Sequence, residues 1–320
     1  MTITPQHIID AHERIRPFIH RTPVLTSQTL DAISGSTLFF KCENFQKVGA
    51  FKIRGAMNAV LSLPKEKIIN GIATHSSGNH AQAIAYAARQ VNTKAYIVMP
   101  DNSPKVKVDA VKGYGAEIHF CKPTLEAREI TLTAIVGKTG ATFIHPFNDY
   151  QVITGQATCA KELIEDCPNL DCIIAPVGGG GLLSGTLLST HYFSPATAVY
   201  AGEPEGAADA ILSFKNGQIE KAPYIDTIAD GLLTTLGDKT FPIIWQYVKD
   251  ILTVSDKEII AAMRLVYERM KIVTEPSGAV SLAAVLNNKE LFAGKRVGVI
   301  FTGGNAELGS LAERFNKQDS

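Results

Sequence analysis

The chain has 320 residues, with 31 Lys+Arg against 31 Asp+Glu, a formal net charge of 31 − 31 = 0 that excludes a basic nucleic-acid binder. Hydrophobic residues make up 45% and charged residues 19%, so a large core can form and the disordered and collagen-like classes fall away. Cys42, Cys121, Cys159, Cys167 and Cys172 are scattered without a Cys-x-x-Cys pair, which argues against a disulfide framework or a zinc site and fits a reducing cytoplasm. No run approaches the ~18 apolar residues of a membrane span, and Met1 to Asp10 lack a basic region followed by an apolar stretch, so no membrane partner is expected.

Thr4-Pro5 ahead of Ile8, Ile9, Ile15 and Ile19 predicts a capped helix with one apolar stripe. Strand-length apolar runs follow at Thr37 to Cys42, Gly71 to Thr74, Lys94 to Met99, Glu117 to Phe120, Ala141 to Ile144, Asp171 to Val177, Ala198 to Gly202 and Arg296 to Phe301. Between them lie helix-period stretches at Asn79 to Gln90, Lys105 to Lys112, Thr124 to Gly137, Val152 to Asp166 and Leu182 to His191. The alternation predicts an α/β protein with open, mostly parallel sheets and flanking helices. The regular succession over residues 71–147 predicts a small mobile domain inserted in a larger one formed by 1–70 and 148–320.

In such sheets ligands bind beyond the carboxyl ends of strands, where four places stand out. Asp171 to Val177, then Gly178, Gly179, Gly180 and Gly181, then Leu182 to Leu188 read as strand, glycine loop and helix. Backbone N–H groups without Cβ atoms and a helix N-terminus suit a phosphate, although a flexible turn has the same pattern. A P-loop lysine is absent and the dinucleotide spacing fails at Ser184, while Glu203, about twenty residues on, leaves a nicotinamide cofactor open. His75-Ser76-Ser77-Gly78-Asn79-His80 ends one strand and opens a helix, either a carboxylate site or an ordinary N-cap. Thr302-Gly303-Gly304-Asn305 follows the last strand and reads first as a turn. Lys52 sits among small and aromatic residues where a helix begins; it is a surface residue or, screened from water, an amine able to condense with an aldehyde.

In this order, Phe40-Lys-Cys-Glu-Asn-Phe-Gln46, Gly49-Ala-Phe-Lys-Ile-Arg-Gly55, Ser76-Ser-Gly-Asn-His80, Gly178 to Gly181, Glu275-Pro-Ser-Gly278 and Thr302-Gly-Gly-Asn305 resemble the pyridoxal-phosphate enzymes of the tryptophan-synthase β fold (fold type II), within them serine racemases and serine/threonine dehydratases. The resemblance runs over about residues 5 to 316. It implies that Lys52 forms the Schiff base with the cofactor, Phe51 lies against its ring, Asn79 partners the ring hydroxyl, Gly178 to Gly181 with Leu182 cup the phosphate, and Thr302 faces the pyridine nitrogen. A hydroxyl there makes the ring a weaker electron sink than a carboxylate would, which suits prompt β-elimination. Ser76, Ser77, Asn79 and His80 would take the substrate carboxylate, Lys52 the Cα proton, and Ser77 would act on the opposite face, as racemisation requires. The resemblance further implies a divalent cation (magnesium, calcium or manganese) on Glu203, the Ala207 carbonyl and Asp209. Arg128 matches an arginine that can reach a substrate carboxylate, and a homodimer is expected. Serine racemisation with dehydration of serine and threonine is the reading so implied; 3-hydroxyaspartate dehydration or threonine breakdown are the alternatives in the same class. Phe147 departs from the family pattern, standing where many of these enzymes have Asn or Tyr, and Thr154-Gly-Gln-Ala157 differs slightly from the usual Ala-Gly-Gln-Gly.

Overall fold

The computed structural model describes residues 2–76, 78–103, 105–307, 309, 312–313 and 315; Ser77, assigned the second acid/base above, lies outside them. The strands are β1 (Val24–Leu25), β2 (Thr37–Cys42), β3 (Ile72–His75), β4 (Ala95–Pro100), β5 (Glu117–Cys121), β6 (Thr142–Phe143), β7 (Cys172–Pro176), β8 (Ala198–Pro204), β9 (Asp250–Val254) and β10 (Arg296–Phe301). Among the described residues they make two open sheets, one in the order β1-β2-β10-β7-β8-β9 and one in the order β5-β4-β3-β6. Every pairing is parallel except β1 against β2, so the expected α/β architecture holds.

The larger sheet is hydrophobic on both faces because helices cover it on both sides. Leu38, Phe40, Val297, Val299 and Phe301 lie in one core, and Ile173, Ala175, Val199 and Ile300 in another. The rings of Phe40 and Phe301 stack with centroids 4.9 Å apart, pinning β2 to β10. The smaller sheet packs on the alanine-rich helix Asn79–Gln90, whose Ala81, Ala83, Ala85, Ala87 and Ala88 let helix and sheet approach closely.

Local signals set most boundaries. Thr4 caps the helix Pro5–Ile15 in a capping box with His7. The helix Tyr150–Asp166 starts two residues before the apolar period does, because the Asp149 carboxylate accepts the N–H groups of Gln151 and Val152. The edge strands β1 and β9 escaped the sequence reading; β1 is two residues long and β9 is only partly buried. No helix among the described residues is long and apolar enough to cross a membrane.

Candidate active site

Four strand ends carry the site. Beyond β7 the turn Gly178 to Gly181 opens the helix Gly181–Phe193, with Gly180 at φ +87°, a conformation that favours glycine. The N–H groups of Gly178, Gly179, Gly180, Gly181 and Leu182 donate to no acceptor among the described residues, although all five residues are buried. Buried N–H groups normally have partners, so five together at a helix N-terminus form a ready cradle for an anion. The turn is also sterically closed to other residues: a Cβ at Gly178 would lie 2.8 Å from Leu232 Cα, and one at Gly179 would collide with the ring of Phe147.

Lys52 begins the helix Lys52–Leu61, and its half-buried amine donates to the Pro146 carbonyl at 3.1 Å, its single hydrogen bond among the described residues. Burial lowers its pKa to about 8, with Glu275 pulling the other way. The Phe51 ring centroid is 5.1 Å from that amine, and Phe51 N–H donates to the Thr302 carbonyl at 2.9 Å, tying the lysine to the end of β10. The Thr302 side chain is buried and makes no hydrogen bond to a described residue. Lys52, Phe51, Thr302 and, through Phe147, the glycine turn are thus brought together around one space.

Asn79 joins them from the smaller sheet. Its Nδ2 donates to both Glu275 oxygens, at 2.8 and 3.0 Å, and its Oδ1 accepts from Asn305 Nδ2 at 2.8 Å. One Oδ1 lone pair is left for a ring hydroxyl. The Ser76 hydroxyl accepts from Gly78 N–H at 3.3 Å. His80, expected to help take a substrate carboxylate, is buried with Nε2 3.3 Å from the Ile144 carbonyl, and Nδ1 has no partner among the described residues. Nε2 therefore holds the proton, Nδ1 is an acceptor, and only the backbone N–H of His80, in the first turn of its helix, suits a carboxylate. Arg128 Nε reaches the Thr124 carbonyl at 3.4 Å, and its charge helps to lower the pKa of His75 at the end of β3, after burial.

Sequence reasoning quoted the Glu275 motif without giving the residue a role and passed over the carbonyl of Pro146. Glu275 is buried, stands at the N-cap position of the helix Pro276–Asn287 without a side-chain capping bond, and has its pKa raised by burial to about 7. The motif spacing pointed to this residue; nothing local pointed to a backbone carbonyl 94 positions from Lys52.

At the end of β8, Glu203 accepts the N–H groups of Ala210 and Ile211 at 2.6 and 3.0 Å, and Asp209 accepts that of Leu236 at 3.1 Å. Burial raises Glu203 to about 8 and Asp209 to about 7, and no basic side chain offsets either. Among the described residues no group of three His, Cys, Asp or Glu side chains gathers around an ion, so a third protein ligand here would be a carbonyl such as that of the buried Ala207.

The residues fit pyridoxal phosphate: an amine with a lowered pKa, five unpartnered N–H groups for a phosphate and a free hydroxyl at one strand edge. The sequence profile described as pyridoxal-phosphate dependent enzyme matches residues 15–303. The chain is 50% identical over 308 residues to a beta-hydroxyaspartate dehydratase of Paracoccus denitrificans, covering 96% of this chain and 98% of that protein. It is 48% identical over 319 residues to a serine racemase of Dictyostelium discoideum, covering 98% of each. The solved structure of maize serine racemase superposes with a TM-score of 0.94 at 44% identity, covering 98% of this chain and 96% of that one. The open cradle, the screened lysine and this similarity across both sheets agree: the chain belongs to the pyridoxal-phosphate-dependent enzymes.

Proposed function

We propose that the protein racemises serine and also eliminates water from L-serine and L-threonine, releasing keto acid and ammonia. The observation that carries the reading is the lowered amine of Lys52 held beside the anion cradle, in a chain nearly half identical to a serine racemase over its whole length. When bound, the cofactor withdraws electrons from the substrate and so acidifies its Cα proton. Gly178 to Leu182 would hold its phosphate, Lys52 its aldehyde, and Thr302 would stand at the pyridine nitrogen.

The remaining chemistry belongs to side chains. With a pKa of about 8, roughly a tenth of Lys52 is unprotonated at pH 7 and able to take a proton; an unperturbed lysine would be neutral in roughly one molecule in three thousand. The free N–H groups opening the helix Asn79–Gln90, with Ser76, would orient the substrate carboxylate. Ser77 would serve the second face. The division into two sheets supports reading 71–147 as a small domain inserted in a large one formed by 1–70 and 148–320, and mobility of the small domain is part of the proposal.

3-Hydroxyaspartate dehydration is the second reading, favoured by Arg128 near His75 and by the identity to the Paracoccus enzyme. A divalent cation on Glu203, Ala207 and Asp209, a homodimer and a cytoplasmic setting complete the proposal. The deciding experiment compares serine, threonine and 3-hydroxyaspartate, scoring enantiomer and keto acid. Ser77→Ala should abolish D-serine formation and spare keto-acid release; equal loss of both removes Ser77 from the second face. Lys52→Ala should stop all turnover, and residual turnover at the wild-type rate would sink the reading.

A further inference from the structure

We propose that His145 is a positioning residue for Lys52: its ring nitrogen folds the 145–148 turn so that the carbonyl of Pro146 meets the lysine amine. His145 Nδ1 accepts the N–H groups of Asn148 at 2.9 Å and Phe147 at 3.3 Å. Only an unprotonated nitrogen can do so, which fixes the ring as the neutral form with its proton on Nε2. Burial, with His75 and Lys52 adding to it, lowers the His145 pKa to about 4, so the neutral form persists at any working pH. The ring is held edge-on by Phe147, with centroids 4.6 Å apart, and by Phe143 at 5.7 Å. The Pro146 carbonyl accepts from Lys52 alone among the described residues.

The turn is anchored independently at both ends. Ile144 N–H donates to the Ala73 carbonyl at 3.0 Å, and the Asn148 side chain bonds Lys239 N–H at 2.9 Å and Asp238 at 2.6 Å. Loss of the imidazole therefore loosens the middle of the turn and leaves its ends in place. The titratable groups facing Lys52 are Glu275, His80 and His145; the last is neutral, so replacing it removes an acceptor and no charge. A carbonyl favours the ammonium over the free amine, so a misplaced Pro146 carbonyl lowers the lysine further.

The inference rests on the reading of Lys52 as the base that carries the cofactor. Its test uses the full chain stripped of pyridoxal phosphate, so that its failure is separate from failure of that reading, which borohydride reduction and peptide mapping of the loaded enzyme examine. Lysines are dimethylated with ¹³C-formaldehyde and titrated by NMR, with Lys52→Arg identifying the signal. His145→Leu, similar in bulk but without an acceptor, should lower the Lys52 pKa by about one unit, and reloading with pyridoxal phosphate at pH 7, followed by absorbance, should quicken about fivefold, because more of the amine is neutral. His145→Asn, whose Oδ1 can replace Nδ1, should restore both towards wild type. If leucine does not fit, His145→Ala gives the same comparison. A Lys52 titration unchanged or raised in the leucine or alanine variant, or equal effects of leucine and asparagine, overturns the inference.

Discussion

The side-chain amide of Asn79 donates to both oxygens of the Glu275 carboxylate, at 2.8 and 3.0 Å, across the gap between the two sheets. A residue of the smaller sheet's first helix is thereby fixed to the N-terminus of the helix Pro276–Asn287, and Asn305, which also donates to the Val48 carbonyl at 2.8 Å, closes the link to the Lys52 segment. The carboxylate sits where its charge supports a protonated Lys52.

Glu275→Gln should therefore lower the Lys52 pKa below about 8. Lys52 takes a proton only when neutral, so the acid limb of the kcat–pH profile for keto-acid release should move to lower pH, by about half a unit to one unit. A shift to higher pH would show that Glu275 does not act on this lysine through its charge.

A second prediction concerns the buried ion cluster under the Lys52 helix. Arg54 donates to Glu43 at 2.7 and 2.8 Å and to Glu162 at 2.7 and 2.9 Å, and Lys41 meets Glu162 at 2.7 Å. All four side chains are at most 1% exposed. Arg54→Met leaves two carboxylates to one lysine and should cost about 3–5 kcal/mol in urea denaturation. Burial raises the Glu162 pKa, but Arg54, His12 and Lys41 outweigh it and hold the carboxyl well below its ordinary 4.5. Its contribution is then full above about pH 4.5 and is lost as pH falls further, so acid unfolding of Arg54→Met should begin at higher pH than in wild type. Coincident acid transitions would count against the pairing.

The glycine turn yields a steric test. A methyl group at Gly179 would collide with the Phe147 ring, so Gly179→Ala must displace that ring from the cradle. Its dissociation constant for pyridoxal phosphate, measured by absorbance titration, should rise about tenfold or more, and Phe147→Ala in the same chain should recover part of the loss. Unchanged affinity in the single variant would mean that the ring moves freely.

Removal of divalent ions should expose the Glu203 and Asp209 pair. Chelation should lower the melting temperature by a few degrees, and magnesium, calcium or manganese should restore it, because an ion bound only by the folded chain stabilises it by mass action. Glu203→Gln and Asp209→Asn should abolish the response. A melting temperature indifferent to chelator would remove the proposed ion.

The α/β class, the positions of the main strands along the chain and the residues of the glycine turn were legible in the chain itself, because hydrophobic period, helix caps and glycine runs act on near neighbours. Lys52, Phe51 and Thr302 were legible as motifs, and their meeting only through the family resemblance, because it depends on a bond from Phe51 N–H to a carbonyl at the end of a strand laid down some 250 residues later. Tertiary structure alone placed β10 between β2 and β7, turned the His80 imidazole to the Ile144 carbonyl, and set Glu275 against Asn79. Those outcomes follow from burial and pairing between distant segments, where a polar group takes whichever partner the packed core brings within reach, and no local pattern names that partner in advance.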